Sequence, residues 1–244
     1  VHSAWHFAIN SGKLQKNERK GIMRKDKNIK SIRSTVYDYI RTEMDKGAVV
    51  PGASLNMTDL AEVLGTSKTP LREAMIRLEA EGFVTIVPRK GVIVNRLDLD
   101  DVKYLFAVIG ALESTLIVNS LENYDQAALD RMGKLNENMR ASFETGDFAS
   151  YDAAHYAYHN IFLEIAGKNV FAERVLTPIK TRLWDFPRKG IAMQWINMAC
   201  EEHEQIVEAI EQRDKEQVLF LILERHWSYE YNEHYVRRVY FPYD

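Results

Sequence analysis

The sequence predicts a mainly α-helical chain in two parts. Three helices closed by a β-hairpin come first, and an antiparallel all-α bundle follows. Three observations point that way. Gly and Pro are sparse, 12 and 6 of 244 residues, and long stretches lack both, which favours helix. A single segment, residues 83–94, carries the β-branched and aromatic runs of a hairpin. From Asp98 onward no strand signal occurs.

Residues 1–28 are rich in Lys, Asn, Gly and Ser and show no sustained period, so a flexible tail is expected there. Met23 is a candidate native start. From Ile29 to Lys46 apolar residues recur at Ile32, Val36, Tyr39, Ile40 and Met44, the spacing of a helix that Gly47 stops. Pro51-Gly52 makes a turn. Thr58 opens a short helix, TDLAEVLG, with Leu60, Ala61 and Leu64 on one side. A third helix is capped by Ser67 or Thr69, with Pro70 in its first turn, where a missing N–H costs nothing. Leu71, Ala74, Met75 and Leu78 form its inner face, and Gly82 ends it. Phe83 to Val87 and Val92 to Val94 then pair across Pro88-Arg89-Lys90-Gly91, a hairpin with a basic tip. Helix, short helix, turn, helix, hairpin is the order of a winged helix-turn-helix.

Six further helices are expected at roughly 98–122, 125–145, 147–166, 168–184, 190–212 and 214–236. Their breaks carry Asn123, Gly146-Asp147, Gly167, Pro187 and Gly190, and short loops make an antiparallel bundle. The expected domains are therefore 29–95 and 98–240.

The net charge of −3 conceals an asymmetry. Residues 1–95 hold 16 Lys/Arg against 10 Asp/Glu, whereas residues 96–244 hold 16 against 25. A basic N-terminal third suits a polyanionic partner. Cys200 is the single cysteine, so no intrachain disulfide forms, in keeping with a reducing compartment. The most apolar run, Leu105 to Val118, contains Glu113 and is too short to span a bilayer. The N-terminus lacks the apolar core of a signal peptide. A soluble, cytoplasmic protein is expected.

The run LAEVLGTSKTPLREAMIRLEAEGFVTIVPRKGVIV, Leu60 to Val94, resembles the GntR family of transcription regulators. The resemblance implies a DNA-binding transcription regulator, a repressor by the commoner mode, and not an enzyme. A recognition helix presents its N-terminal residues to base edges; here those are Ser67, Lys68, Thr69 and Arg72. Hydroxyls and a helix N-terminus suit phosphate oxygens, and an arginine suits guanine. Arg89, Lys90 and Gly91 form the wing tip. Two positions depart from many relatives: Lys68 stands for an arginine, losing the guanidinium fork, and Thr58 for an arginine. Taken singly, Arg72 can pair instead with Glu73 or Glu79, and Arg89 and Lys90 can be a plain polar turn.

In the second part His155 and His159 stand four apart on one helix face. His203 and His226 lie on later helices that antiparallel packing can bring to the same point. Neutral imidazoles there suit a divalent ion such as zinc, nickel or manganese. The alternative is that they merely line the bundle. YHNIFLEIAGKN around His159 and EHEQIVEAI around His203 resemble the FCD effector domain of the FadR subfamily. The match at His226 is looser, with one register slip. The resemblance implies that a carboxylate and a histidine four apart, with two later histidines, hold a metal, and that the chain is a homodimer responding to a small-molecule effector, an organic acid for many relatives. Here the usual aspartate is His155, and Asp152, a turn earlier, is a candidate supporting or replacement ligand. An effector arginine of many relatives corresponds to Ile109, which leaves Arg140, Arg174 or Arg182 as cations for an acid. Tyr104, Phe106, Tyr156, Phe162 and Trp227 either shape a pocket or belong to the core.

Two other functions compete. A histidine-held metal can activate water in a hydrolase, with Glu202 or Glu164 as base, though no motif such as HExxH supports it. An architectural DNA binder without an effector is the other.

Overall fold

The computed structural model describes residues 32–45, 49–184 and 193–241. The expected tail at 1–28, the outer ends of the helices expected at 29–46 and 190–212, and the breaks at Gly47, Pro187 and Gly190 lie outside these residues. The Cα trace parts into two compact units between Leu97 and Asp98.

The first unit holds α1 (Ile32–Asp45), β1 (Ser54–Leu55), α2 (Met57–Leu64), α3 (Lys68–Ala80), β2 (Val84–Val87) and β3 (Gly91–Val94). Helix α2 starts one residue before the expected Thr58 because Asn56 caps it, its side chain accepting from the Thr58 N–H at 2.8 Å. Its end needs a left-handed residue, and Gly65 supplies φ +61° without the Cβ clash other residues would meet. The predicted inner face of α3 is the core: Leu71, Ala74, Met75 and Leu78 are each 0% exposed, packed with Val36, Ile40, Leu55 and Phe83. The sheet has three antiparallel strands in the order β1-β3-β2, one more than the expected hairpin. Two residues, Ser54 and Leu55, are too short a run for alternation to reveal.

The second unit is helical: α4 (Leu99–Asn119), a 3-10 turn (Leu121–Asn123), α5 (Gln126–Glu144), α6 (Phe148–Ile165), α7 (Val170–Trp184), α8 (Met193–Glu211), α9 (Lys215–Phe220), a π-helical turn (Leu221–His226) and α10 (Tyr229–Tyr240). Short acids start four of these helices. Asp98, Asp125, Asp147 and Asp214 each accept from an N–H three residues on, at 2.8–3.1 Å. The helix expected over 214–236 is three pieces, not one. The π-turn and the Ser228 cap, which accepts from the Tyr231 N–H, divide it. Among the described residues no helix is long and apolar enough to cross a membrane.

Candidate functional site

Two places carry chemistry, one in each unit. In the first, Ser67 is the N-cap residue of α3, and its side chain makes no capping hydrogen bond. Ser67, Lys68, Thr69 and Arg72 are all exposed on the opening turns of α3. Among the described residues the Arg72 side chain makes neither an ion pair nor a hydrogen bond. The competing partner Glu79 is engaged elsewhere, accepting from the Ile86 N–H at 2.7 Å. The same bond fastens the wing to α3, as does Asn95, which donates to the Gly82 carbonyl at 2.9 Å. At the wing tip Arg89 adopts φ +64° and the Lys90 N–H closes the turn on the Val87 carbonyl. Gly91, at φ +104°, lies so close to strand β1 that a Cβ would meet the Leu55 carbonyl oxygen at 3.2 Å. Arg89 and Lys90 are exposed.

In the second unit the four histidines meet. One ligand-type nitrogen from each of His155, His159, His203 and His226 lies within 4.8 Å of the other three. Helix α6 supplies the first pair, α8 the third, and the π-turn the fourth. A π-turn admits an extra residue per turn and so shifts where His226 points relative to a plain α-helix. His159, His203 and His226 are buried, and His155 is half-buried.

Each of the three buried imidazoles is fixed from behind. The His159 Nδ1–H donates to Glu113 at 3.0 Å, the His203 Nδ1–H to the Asn136 side-chain oxygen at 3.0 Å, and the His226 Nδ1–H to Glu202 at 2.9 Å. Carboxylates only accept, so these partners set the tautomer and turn the Nε2 lone pairs inward. Asn136 is itself oriented, its amide donating to the Cys200 carbonyl at 2.8 Å. Burial holds His159 and His203 well below the ordinary histidine pKa. For His159 the Lys180 charge adds to the effect, and for His203 the neighbouring histidines do. The Nε2 atoms of His159 and His226 stand 3.4 Å apart, and Nε2 of His203 is buried with no hydrogen-bond partner. Three inward lone pairs on neutral rings repel one another unless a cation sits among them. The 3.4 Å separation is close to the edge of a tetrahedron of nitrogens, about 3.3 Å for zinc–nitrogen bonds of about 2.0–2.1 Å. The donor set therefore fits a divalent ion.

Comparison with known proteins settles the family. The model of the bacterial regulatory proteins of the gntR family matches residues 32–94, and that of the FCD domain matches residues 104–226, half of the chain. The chain belongs to the GntR family and carries an FCD domain. An HTH-type transcriptional regulator in the TAR-I ttuE-ttuC' intergenic region of Agrobacterium vitis is 30% identical over 140 residues, covering 55% of this chain and 81% of that one. A protein of Paenarthrobacter nicotinovorans named "probable D-xylose utilization operon transcriptional repressor" is 28% identical over 193 residues, 76% of this chain and 81% of that one. The solved structure of E. coli McbR/YncC shares the fold, with TM-score 0.63 at 21% identity, over 80% of this chain and 93% of that one. As a GntR-family protein the chain is a DNA-binding transcriptional regulator.

All four histidines lie within the FCD match. Other candidates fall outside the cluster. Arg140 is half-buried and paired with Glu204 at 3.0 Å, Arg174 is exposed, and Arg182 is buried on α7. Asp152 is half-buried, and the ligand group holds four histidines without a carboxylate. Tyr104 is 73% exposed, and Tyr156 is exposed. Phe106, Phe162 and Trp227 are buried, with Phe106 edge-on to Trp227 at 5.4 Å. Glu164 lies at the surface against Arg131, and Glu202 orients His226, so neither is placed as a hydrolytic base.

Sequence reasoning missed Glu113, Asn136 and Lys180. Glu113 is fully buried and accepts from His159 and from the Trp227 indole N–H at 2.7 Å, and it pairs with the buried Lys180. The one available signal was a lone acid inside the apolar run 105–118. Gly110, a turn before it, lets α4 approach the π-turn, since a Cβ there would meet the Trp227 Cβ at 2.9 Å.

Proposed function

We propose that this GntR-family regulator is a homodimeric repressor of the FadR subfamily whose FCD domain holds a divalent ion and takes a small organic acid at or beside it. In this reading residues 29–95 bind the operator and residues 98–240 bind effector and dimerise. The carrying observation is the inward convergence of the three Nε2 atoms behind which Glu113, Asn136 and Glu202 stand. His155, His159, His203 and His226 hold the ion. An all-nitrogen set suits zinc or nickel better than manganese, which prefers oxygen donors. A bound ion supplies a fixed positive charge for a carboxylate.

On the DNA side, Ser67, Lys68, Thr69 and Arg72 face the major groove while Arg89, Lys90 and Gly91 meet the backbone beside it. Exposed cations that have no partner among the described residues support this. A two-fold dimer suits a palindromic operator. The repressor name of the Paenarthrobacter relative supports the direction of control. The effector acts through its different affinity for DNA-competent and DNA-incompetent states.

The test is elemental analysis of the protein as isolated, beside a His159→Ala/His203→Ala variant. About one divalent ion per chain, lost in the variant, is expected. A chain that takes up no zinc, nickel or manganese even on soaking would remove the ion from the proposal and leave the DNA-binding assignment standing.

A further inference from the structure

Two buried carboxylates support the cluster, and they differ in one respect. Glu113 accepts from His159 Nδ1 and Trp227 Nε1 and is ion-paired with Lys180, itself 1% exposed on α7. Glu202 accepts from His226 Nδ1, and its Oε1 is buried with no hydrogen-bond partner. Among the described residues no Lys or Arg pairs with Glu202. One carboxylate is thus neutralised by a fixed cation and the other is not. A buried lysine–glutamate pair adds little net stability, because desolvating two charges offsets their attraction. Its position directly behind a metal-type histidine gives it another use.

We propose that Lys180 is the charge-setting residue of the histidine centre: by cancelling Glu113 it leaves Glu202 as the carboxylate that offsets a bound divalent ion. Lys180 is paired with Glu113, which stands behind His159. It acts through Glu113 and is a positioning residue. Four neutral imidazoles contribute no charge, and Glu113 with Lys180 contributes none. Of the two carboxylates bonded to ligand histidines, Glu202 is therefore the one left to oppose the ion, in a water-poor site where charges are weakly screened. Lys180 thereby limits how tightly the ion is held and leaves positive charge for an effector. The inference rests on the reading that the cluster binds a divalent ion.

A charge cycle tests it. Zinc affinity is measured by competition with a chromophoric chelator for the wild type, Lys180→Met, Glu113→Gln and the double variant. Melting of the metal-free proteins is recorded beside it. Lys180→Met unmasks Glu113, and zinc binds roughly tenfold or more tightly; Glu113→Gln strands Lys180, and zinc binds roughly ten- to a hundredfold more weakly. The double variant returns to within roughly threefold of the wild type, since its net charge is unchanged. A merely structural pair gives the opposite pattern: both single variants lower the melting temperature and weaken zinc together, and the double variant does not recover. Should Lys180→Met fail to fold, Lys180→Gln with Glu113→Gln carries the same cycle through neutral hydrogen-bonding side chains. Zinc bound by the wild type with a flat cycle overturns this inference alone. No zinc bound by the wild type overturns the metal reading and this inference with it.

Discussion

Arg72 and Lys180 are both cations on helices, and the chain treats them in opposite ways. Arg72 stands exposed on the first turns of α3 with no partner among the described residues, whereas Lys180 is buried on α7 against Glu113. An exposed, unpaired cation costs almost nothing to hold in water and is available to a polyanion. A buried, paired one is unavailable to any outside partner and can act only on what is beside it. The DNA-facing unit thus presents side chains whose partners must arrive from outside. The histidine centre has its supporting partners already in place, behind each buried imidazole.

The contrast predicts a separation of responses to pH. In the metal-free protein His159 and His203 have folded pKa values depressed by burial. Below the unfolded value of about 6.5 the unfolded chain takes up protons that the folded chain refuses, so stability falls as pH falls from there. The slope approaches about 1.4 kcal/mol per pH unit for each histidine. Denaturant melts of chelator-treated protein between pH 7.5 and 5 check this. A stability independent of pH over that window would break the comparison from the histidine side.

Arg72→Ala breaks it from the other side. Operator affinity falls by about 1–3 kcal/mol, the worth of a bidentate guanine contact, while metal content stays unchanged. Competition binding with operator and scrambled duplexes measures it. Gly110→Ala acts within the second unit only. The new methyl meets the Trp227 Cβ, and overpacking costs about 1–3 kcal/mol. Its thermal melt shifts down without loss of the Arg72-dependent discrimination. Smallest is Lys90→Ala at the wing tip, which weakens all duplexes alike and reduces the slope of log affinity against log salt by about 1.

The two regions were also unequally legible. Cap, glycine stop and hairpin in residues 60–94 are signals between near neighbours, and a reader of the chain meets them in order. The inner face of α3 followed from spacing alone. The supporting partners of the histidines could not be read so, because Glu113 and His159 are 46 positions apart and Glu113 and Trp227 are 114 apart. No local pattern says which glutamate stands behind which imidazole. The four histidines were visible as a set through family resemblance, and their approach to one point required the fold. The last helix was drawn as continuous because its composition is helical throughout. What divides it is the hydrogen-bonding pattern at Leu221–His226, to which periodicity is blind.

Trp227 gives the histidine centre an optical consequence. Its ring lies 5.4 Å from that of His159 and 5.1 Å from that of His226, and its indole N–H is held by Glu113. A fluorophore so placed sits within contact range of the point where the Nε2 atoms converge. On the proposed reading, nickel bound there would dim its emission by electronic quenching, and zinc, which lacks that property, would change only its colour and intensity through the altered field. Among the described residues Trp227 is a tryptophan whose ring lies against two of the ligand-type histidines, so replacing it with phenylalanine reduces the signal. If the centre takes an ion as proposed, the chain carries its own indicator, and uptake can be followed in a cuvette without any added dye.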